Sequence, residues 1–310
     1  MKSDNQQYIR NSKGENGSAR FQPKGRLLSE DEETQIRDLL KHKTLQRHEL
    51  IEYLHVINDK YNFLKIGHLH ALAKLLSISM VEVYEVASFY SHFDILDDDE
   101  IEPAPITIRV CSSITCELFN SKKLFSDIID KDIKNVRVVS APCMGRCFSA
   151  PVCEVGHRHI DYASVKKVEL VIDEKNFEPE IPNYEGLEEY QLKGGYKVLE
   201  ACITGKLGIN EVITELSSSS LKGLGGAGFP TGKKWEFVLA EPEPRLMAVN
   251  ADEGEPGTFK DRYHLERTPH QFLEGMLIGA WAINAETVFI YLRDEYPAIR
   301  EILLREVHLL

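Results

Sequence analysis

A chain of 310 residues, 43% apolar and 28% charged, has the composition of an ordinary globular protein of about two domains. Its 49 acidic against 37 basic side chains leave a net charge of -12, which argues against a nucleic-acid partner, because that affinity rests on cations facing phosphates. A dinucleotide stays within reach, since backbone amides and helix N-termini hold phosphate without net positive charge. No run of about 18 apolar residues occurs, and MKSDNQQYIRNSKGENGSAR lacks the apolar centre of a secretory signal. A cytoplasmic protein with no direct membrane span is expected, and there six cysteines point to ligands or free thiols rather than disulfides.

Residues 1–28 are polar and rich in Asn, Ser, Gly and Lys, and read as a disordered tail. Ser29 with Glu32 is a capping-box signature that opens helical patterning. Leu50, Leu54, Ile57 and Tyr61 share one helical face, and Leu69, Leu72, Ala73 and Leu76 another. Ser79 with Glu82 opens a third helix carrying Val83, Val86, Ala87 and Tyr90. The spacing predicts a helical bundle over 29–103, closed by the acidic loop LDDDEIEPAP. Next come a strand at 106–110, a helix near 120–130, a strand at 136–140 and a hairpin at 152–160. A helix through Val165, Val168, Leu170 and Val171 comes after the hairpin, so that 104–175 is thioredoxin-like in outline.

The two prolines and absent periodicity of 176–186 mark a linker, and helical patterns at 195–204 and 209–216 complete a connecting region over 176–220. SSSSLKGLGGAGFPTGKKW reads as a loop. Strands at 245–250 and 287–292 flank a long apolar helix near 269–283, and Ile299, Leu303, Val307 and Leu310 form a closing apolar stripe. With no further core element after that stripe, 221–310 is expected to be a partial α/β domain.

Two tight cysteine pairs stand out: Cys111 and Cys116 with four residues between, and Cys143 and Cys147 with three. Each follows a predicted strand end, so neighbouring strands would aim four thiolates at one point. A [2Fe–2S] cluster needs four thiolates, two per iron, and Gly145 lets the backbone approach it closely. Zinc also accepts four thiolates, typically from C-x2-4-C knuckles, and is one alternative. A redox disulfide would use C-x-x-C, and unligated structural cysteines are a third alternative. Cys153 and Cys202 read as buried small residues.

Gly223-Leu-Gly225-Gly226-Ala-Gly228 fits G-x-G-x-x-G formally, yet it follows a serine run, and Phe229-Pro230-Thr231-Gly232 is a poor helix start, unlike a dinucleotide fingerprint. Its company is Lys233, Lys234, Trp235 and Asn250-Ala-Asp252-Glu253-Gly-Glu255. Glycines let amides reach phosphate, lysine balances its charge, and Asn or carboxylates bind ribityl or ribose hydroxyls. On the residues alone, a flexible glycine loop and a solvated acidic loop are the simpler readings, with Phe229 as core filler.

The run EVYEVASFYSHF, the C-x4-C pair, PCMGRC and APVCEV resemble the thioredoxin-like [2Fe–2S] subunit of NADH:quinone oxidoreductase over about residues 29–173. That module is shared by NAD-reducing hydrogenases and NAD-dependent formate dehydrogenases. GLGGAGFPTGKKW and NADEGEPGTFKDR resemble the flavin- and NADH-binding subunit of the same enzymes. The resemblance implies a [2Fe–2S] cluster on Cys111, Cys116, Cys143 and Cys147, FMN, and an NAD site beside it. Gly223, Gly225, Gly226, Gly228 and Lys234 would form the flavin side, with Asn250 and Asp252 on its polar tail. Phe229 would stack near NADH, and Glu253 and Glu255 would border the nicotinamide.

Leu224 stands where many members carry arginine. The later flavin-binding segment, the ubiquitin-like insert and the [4Fe–4S] cysteine motif of the family lie beyond the match, which implies a truncated flavin domain. IYLRDEYPAIREIL and GTFKDRYHLERTPHQFLEGML are most similar to the formate dehydrogenase branch. The resemblance implies an NADH dehydrogenase (diaphorase)-type electron-transfer subunit in which no side chain need act as acid or nucleophile. Its partners would be NAD(H) and other redox subunits, one bearing [4Fe–4S]. The alternative is a non-catalytic [2Fe–2S] carrier or assembly subunit with an incomplete flavin site.

Overall fold

The computed structural model describes residues 9–13, 19–23, 28–223 and 227–310, and the chain splits into two compact units, Met1–Pro105 and Ile106–Leu310. In the tail expected to be disordered, β1 (Ile9–Lys13) and β2 (Ala19–Pro23) pair antiparallel, Ile9 opposite Pro23. A polar composition speaks to side-chain burial, whereas this pairing is made by backbone groups. Residues 1–8, 14–18 and 24–27 of that tail lie outside the described residues.

Ser29 accepts the Glu32 amide at 3.1 Å while Glu32 takes the Ser29 amide at 3.2 Å, the reciprocal cap that starts α1 (Glu30–Leu39). α2 (Leu50–Tyr61), α3 (Ile66–Leu76) and α4 (Met80–Phe89) come next, the last capped by Ser79, which accepts the Glu82 amide at 3.1 Å. Ile36, Tyr53, Leu54, Ile57, Leu69, Leu72, Val83 and Ala87 make their common core. Tyr61, Leu76, Val86 and Tyr90 lie half-buried at its edge. A short parallel pair, β3 (Leu64–Lys65) with β4 (Ile95–Leu96), ties the chain after α4 back to the bundle.

The second unit begins with β5 (Ile106–Cys111), α5 (Ile114–Leu118), α6 (Ser121–Asp130) and β6 (Val136–Ala141). β7 (Cys153–Val155), β8 (Arg158–Ile160) and α7 (Val165–Asp173) complete this half. The sheet order is β6-β5-β7-β8. β5 and β6 run parallel with Cys111 beside Ala141, and β7 and β8 add antiparallel to the other edge. Ile108, Val110, Leu124, Ile128, Val155, Val168 and Val171 fill the space between sheet and helices. Leu170, grouped with the buried set by the sequence, is 55% exposed, because the face of α7 that meets the sheet passes through Val168 and Val171.

No helix or strand occupies 176–186. Beyond it come α8 (Leu187–Leu192), α9 (Lys197–Ile203), α10 (Ile209–Ser218) and α11 (Thr231–Ala240). β9 (Arg245–Ala251), α12 (Lys260–Arg267), α13 (Pro269–Ala282), β10 (Ala285–Leu292) and α14 (Pro297–His308) end the chain. β9 and β10 are parallel, with Leu292 beside Ala251 at their carboxyl ends, and α12 and α13 form the crossover that parallel strands require. α14 buries Ile299, Ile302, Leu303 and Glu306, while Val307 and Leu310 of the expected stripe are 45% and 52% exposed. The helix face against α12 and α13 runs through Ile299, Ile302 and Leu303 to Glu306, so a buried carboxylate takes the place expected for Val307.

The segment Phe229-Pro230-Thr231-Gly232 does start a helix. Pro230, with φ −62°, stands as N-cap of α11, and Gly232 lies so close to α10 that a Cβ there would sit 2.3 Å from Ser217 Oγ. The glycine that looked like a helix breaker is the price of helix–helix contact. Among the described residues, no helix is long and apolar enough to cross a membrane.

Candidate functional site

Two neighbouring parallel strands end at the cysteines. β5 finishes on Cys111, and Cys116 lies one helical turn on, inside α5. β6 finishes on Ala141 and leads into Pro142-Cys143, and Cys147 opens a 3₁₀ turn over Cys147–Ser149. Gly145 turns the chain between them at φ +65°, the left-handed region that side chains avoid. Cys111, Cys116 and Cys143 are buried and Cys147 partly so. Cys143 Sγ lies 3.4 Å from Cys147 Sγ, and the Gly145 amide donates to Cys143 Sγ at 3.4 Å.

The four thiols sense one another across the two segments. Contact with Cys116 raises the Cys111 pKa, and the same contact lowers that of Cys116. Contact with Cys111, followed by burial, pushes the Cys143 thiol up, and burial raises Cys147. Three of the four sulfurs, Cys111, Cys143 and Cys147, thus resist becoming thiolates, a resistance that a bound cation would relieve. Among the described residues, no three of these sulfurs lie within 4.8 Å of one another.

Both ends of the second cysteine segment are braced. The Arg146 guanidinium forks onto Asp161 with two bonds of 2.6 Å, and Ser149 Oγ donates to the same carboxylate at 2.6 Å. Burial works to raise the Asp161 pKa, but these donors outweigh it and hold the group low. Cys153 packs in the sheet core and Cys202 is buried in α9.

The glycine loop is closed at its base by Thr231, whose amide donates to Leu221 O at 2.9 Å, and by Gly223, whose amide donates to Phe229 O at 3.3 Å. Gly225 and Gly226 lie outside the described residues, as does Leu224. Gly223 is exposed and Gly228 half-buried. Phe229 is exposed, with its ring 6.1 Å from that of Phe237, and Lys234 is exposed in the first turns of α11.

Asn250, Asp252 and Glu255 stand exposed at and beyond the carboxyl end of β9, the edge where parallel α/β sheets receive ligands. Asn250 Oδ1 accepts the Asp252 amide at 2.9 Å. Glu253 turns the other way. Its buried carboxylate accepts the Asp261 and Arg262 amides at 3.2 Å each, capping α12, and the Tyr296 hydroxyl at 3.3 Å.

A seam of residues that sequence reasoning missed joins the cysteine segment to the β9 loop. The Gly257 amide donates to Cys147 Sγ at 3.2 Å. Arg262 donates to Gly145 O at 3.0 Å and lies over the Phe148 ring at 4.6 Å. Tyr296 covers Gly145 so tightly that a Cβ there would meet its ring at 2.5 Å. Arg293 donates to Cys143 O at 2.5 Å and to Glu253 O at 2.7 Å. The available signal was Arg293 itself, a cation directly after the apolar strand β10 at its ligand-binding end.

Residues 36–176 match the family model of thioredoxin-like [2Fe-2S] ferredoxins, and residues 216–308 match that of the Nuo51 FMN-binding domain. The chain therefore joins a [2Fe–2S] ferredoxin domain of thioredoxin-like fold to a flavin-binding domain. Among curated relatives, the F subunit of the NADH-quinone oxidoreductase of Aquifex aeolicus (strain VF5) is 49% identical over 117 residues, covering 38% of this chain and 27% of the relative. The F 2 subunit of the NADH-quinone oxidoreductase of Rhizobium meliloti (strain 1021) is 48% identical over 123 residues, 39% of this chain and 29% of the relative. The chain thus spans less than a third of these relatives. A crystal structure of an NAD+-reducing [NiFe]-hydrogenase in the air-oxidized state shares the fold, with a TM-score of 0.68 and 24% identity, covering 84% of this chain and 48% of that one.

Proposed function

We propose that this chain is an electron-transfer subunit, or part of one, of an NAD(H)-linked oxidoreductase of NADH dehydrogenase type. The observation that carries the reading is the convergence of four cysteines at adjacent strand ends, in the same compact unit as the flavin-binding domain. Cys111, Cys116, Cys143 and Cys147 hold a [2Fe–2S] cluster. When bound, FMN exchanges hydride with nicotinamide and single electrons with iron–sulfur centres.

The chain's own groups bind, orient and shield. The N-terminus of α11 faces phosphate, with Lys234 balancing its charge. Asn250, whose Oδ1 is held by the Asp252 backbone amide, and the Asp252 carboxylate take ribityl hydroxyls, and Phe229 and Glu255 line the nicotinamide side. Glu253 contributes backbone to that side, since its carboxylate is turned inward. Other redox subunits, among them one bearing [4Fe–4S], complete the electron path. Support for further subunits comes from the relatives, which are named as subunits of larger enzymes.

Anaerobic reconstitution with iron and sulfide, followed by visible absorption, flavin release on denaturation and NADH–ferricyanide activity, tests the reading. Cluster bands together with FMN and activity are expected. Cluster bands with no flavin would leave a carrier subunit, and a colourless zinc protein would end the redox reading.

A further inference from the structure

Arg293 makes every contact needed to link the two cofactor regions. Its side chain is 4% exposed. One Nη donates to the backbone oxygen of Cys143 and the other to that of Glu253. Nε reaches Glu295 at 3.2 Å and stands 3.7 Å from Asp252, and the guanidinium lies 5.3 Å from the centre of the Tyr296 ring, which in turn covers Gly145. The loop that Arg293 grips also sends the Gly257 amide to Cys147 Sγ. That loop thus touches Cys147 directly and Cys143 through Arg293, and it carries Asp252 on its outer side.

A planar fork holds two separated carbonyls in fixed geometry, whereas an ammonium gathers its three donors on one rotatable point charge. Hydrogen bonds to ligand sulfur and cations beside a cluster tune its potential. We propose that Arg293 is a positioning residue that couples the cluster to the flavin-side loop, so that occupancy at Asp252 changes the setting of the Cys143 and Cys147 ligands. This rests on the cluster and flavin sites proposed for the chain.

The test uses the reconstituted full chain, comparing cluster EPR and midpoint potential with FMN bound and with FMN removed. The native chain is expected to show a shift in both on FMN binding. Arg293→Lys should keep its iron and flavin but lose that shift, and Arg293→Met should also lower the potential, because a positive charge that favours the reduced cluster is gone. An unmoved native signal, or an Arg293→Lys variant that retains the native shift and loses only thermal stability, overturns the inference. Should Arg293→Met not fold, the native and Arg293→Lys comparisons decide. A native chain without iron or without flavin overturns the underlying reading and this inference together, whereas iron and flavin present with invariant signals overturn the inference alone.

Discussion

The two candidate sites of the second unit are built in opposite ways. The cysteine site is formed by the fold itself: adjacent parallel strands end side by side, and three of the four thiols are buried. The flavin side presents Lys234, Asn250, Asp252 and Glu255 to solvent on loops and a helix start. Strand ends fix donor positions through sheet register, while loops leave their polar groups hydrated until a ligand replaces the water. Losing a group from the first site should therefore destroy it, and losing one from the second should only weaken it.

The largest effect is expected at the cysteines. Cys143→Ser or Cys111→Ser should drop iron from about two per chain to near none, since hydroxyl is a poor substitute for thiolate on iron. Cys153→Ser, buried in the sheet core, should leave the iron content unchanged. Quantitative iron analysis against protein decides, and equal iron in all three variants would break the contrast.

Gly145→Ala comes next. The residue sits at φ +65°, and its new Cβ would stand 2.5 Å from the Tyr296 ring. A loss of roughly 2–3 kcal/mol, from backbone strain and overpacking together, should appear in denaturant unfolding along with weaker iron retention. An unchanged midpoint would show that the seam yields easily.

On the exposed side, Asp252→Ala and Lys234→Met should each weaken FMN binding about tenfold, near 1.4 kcal/mol, while folding stability moves by no more than about 0.5 kcal/mol. Flavin fluorescence titration beside thermal melts separates the two quantities. Unfolding caused by either change would mean that this side is as built-in as the cysteines.

The remaining effect is in pH. Burial holds the His159 pKa down to about 3, so the folded state keeps this ring neutral while the unfolded chain protonates it near 6.5. The unfolded state therefore binds more protons between those values, and stability falls as pH drops below about 6.5, by about 1 kcal/mol per pH unit. His159→Gln should flatten that slope in urea titrations between pH 6.5 and 5. A slope identical to the native one would remove His159 as its cause.

Chemistry with fixed spacing was legible in the sequence, and contact between distant segments was not. The cysteine pairs and the strands before them could be read because a four-thiolate site needs both. α12 escaped because KDRYHLER has no apolar period; its start depends on Glu253, a remote carboxylate that caps it. Gly232 looked like a helix breaker because its reason, Ser217 on α10, lies across a helix contact. Arg293 was invisible as a link because its partners are backbone oxygens 40 and 150 residues away, and carbonyls leave no mark in a sequence. Along α14, Glu306 is buried where Val307 seemed the natural choice, because His270 and Tyr184 reach it with bonds of 2.6 Å each.

Iron, zinc and acid-labile sulfide counted per chain in anaerobically purified protein bear most directly on the account. It predicts about two irons and two sulfides with no zinc, all lost in Cys111→Ser. One zinc per chain without sulfide, or native iron that survives that substitution, would contradict it.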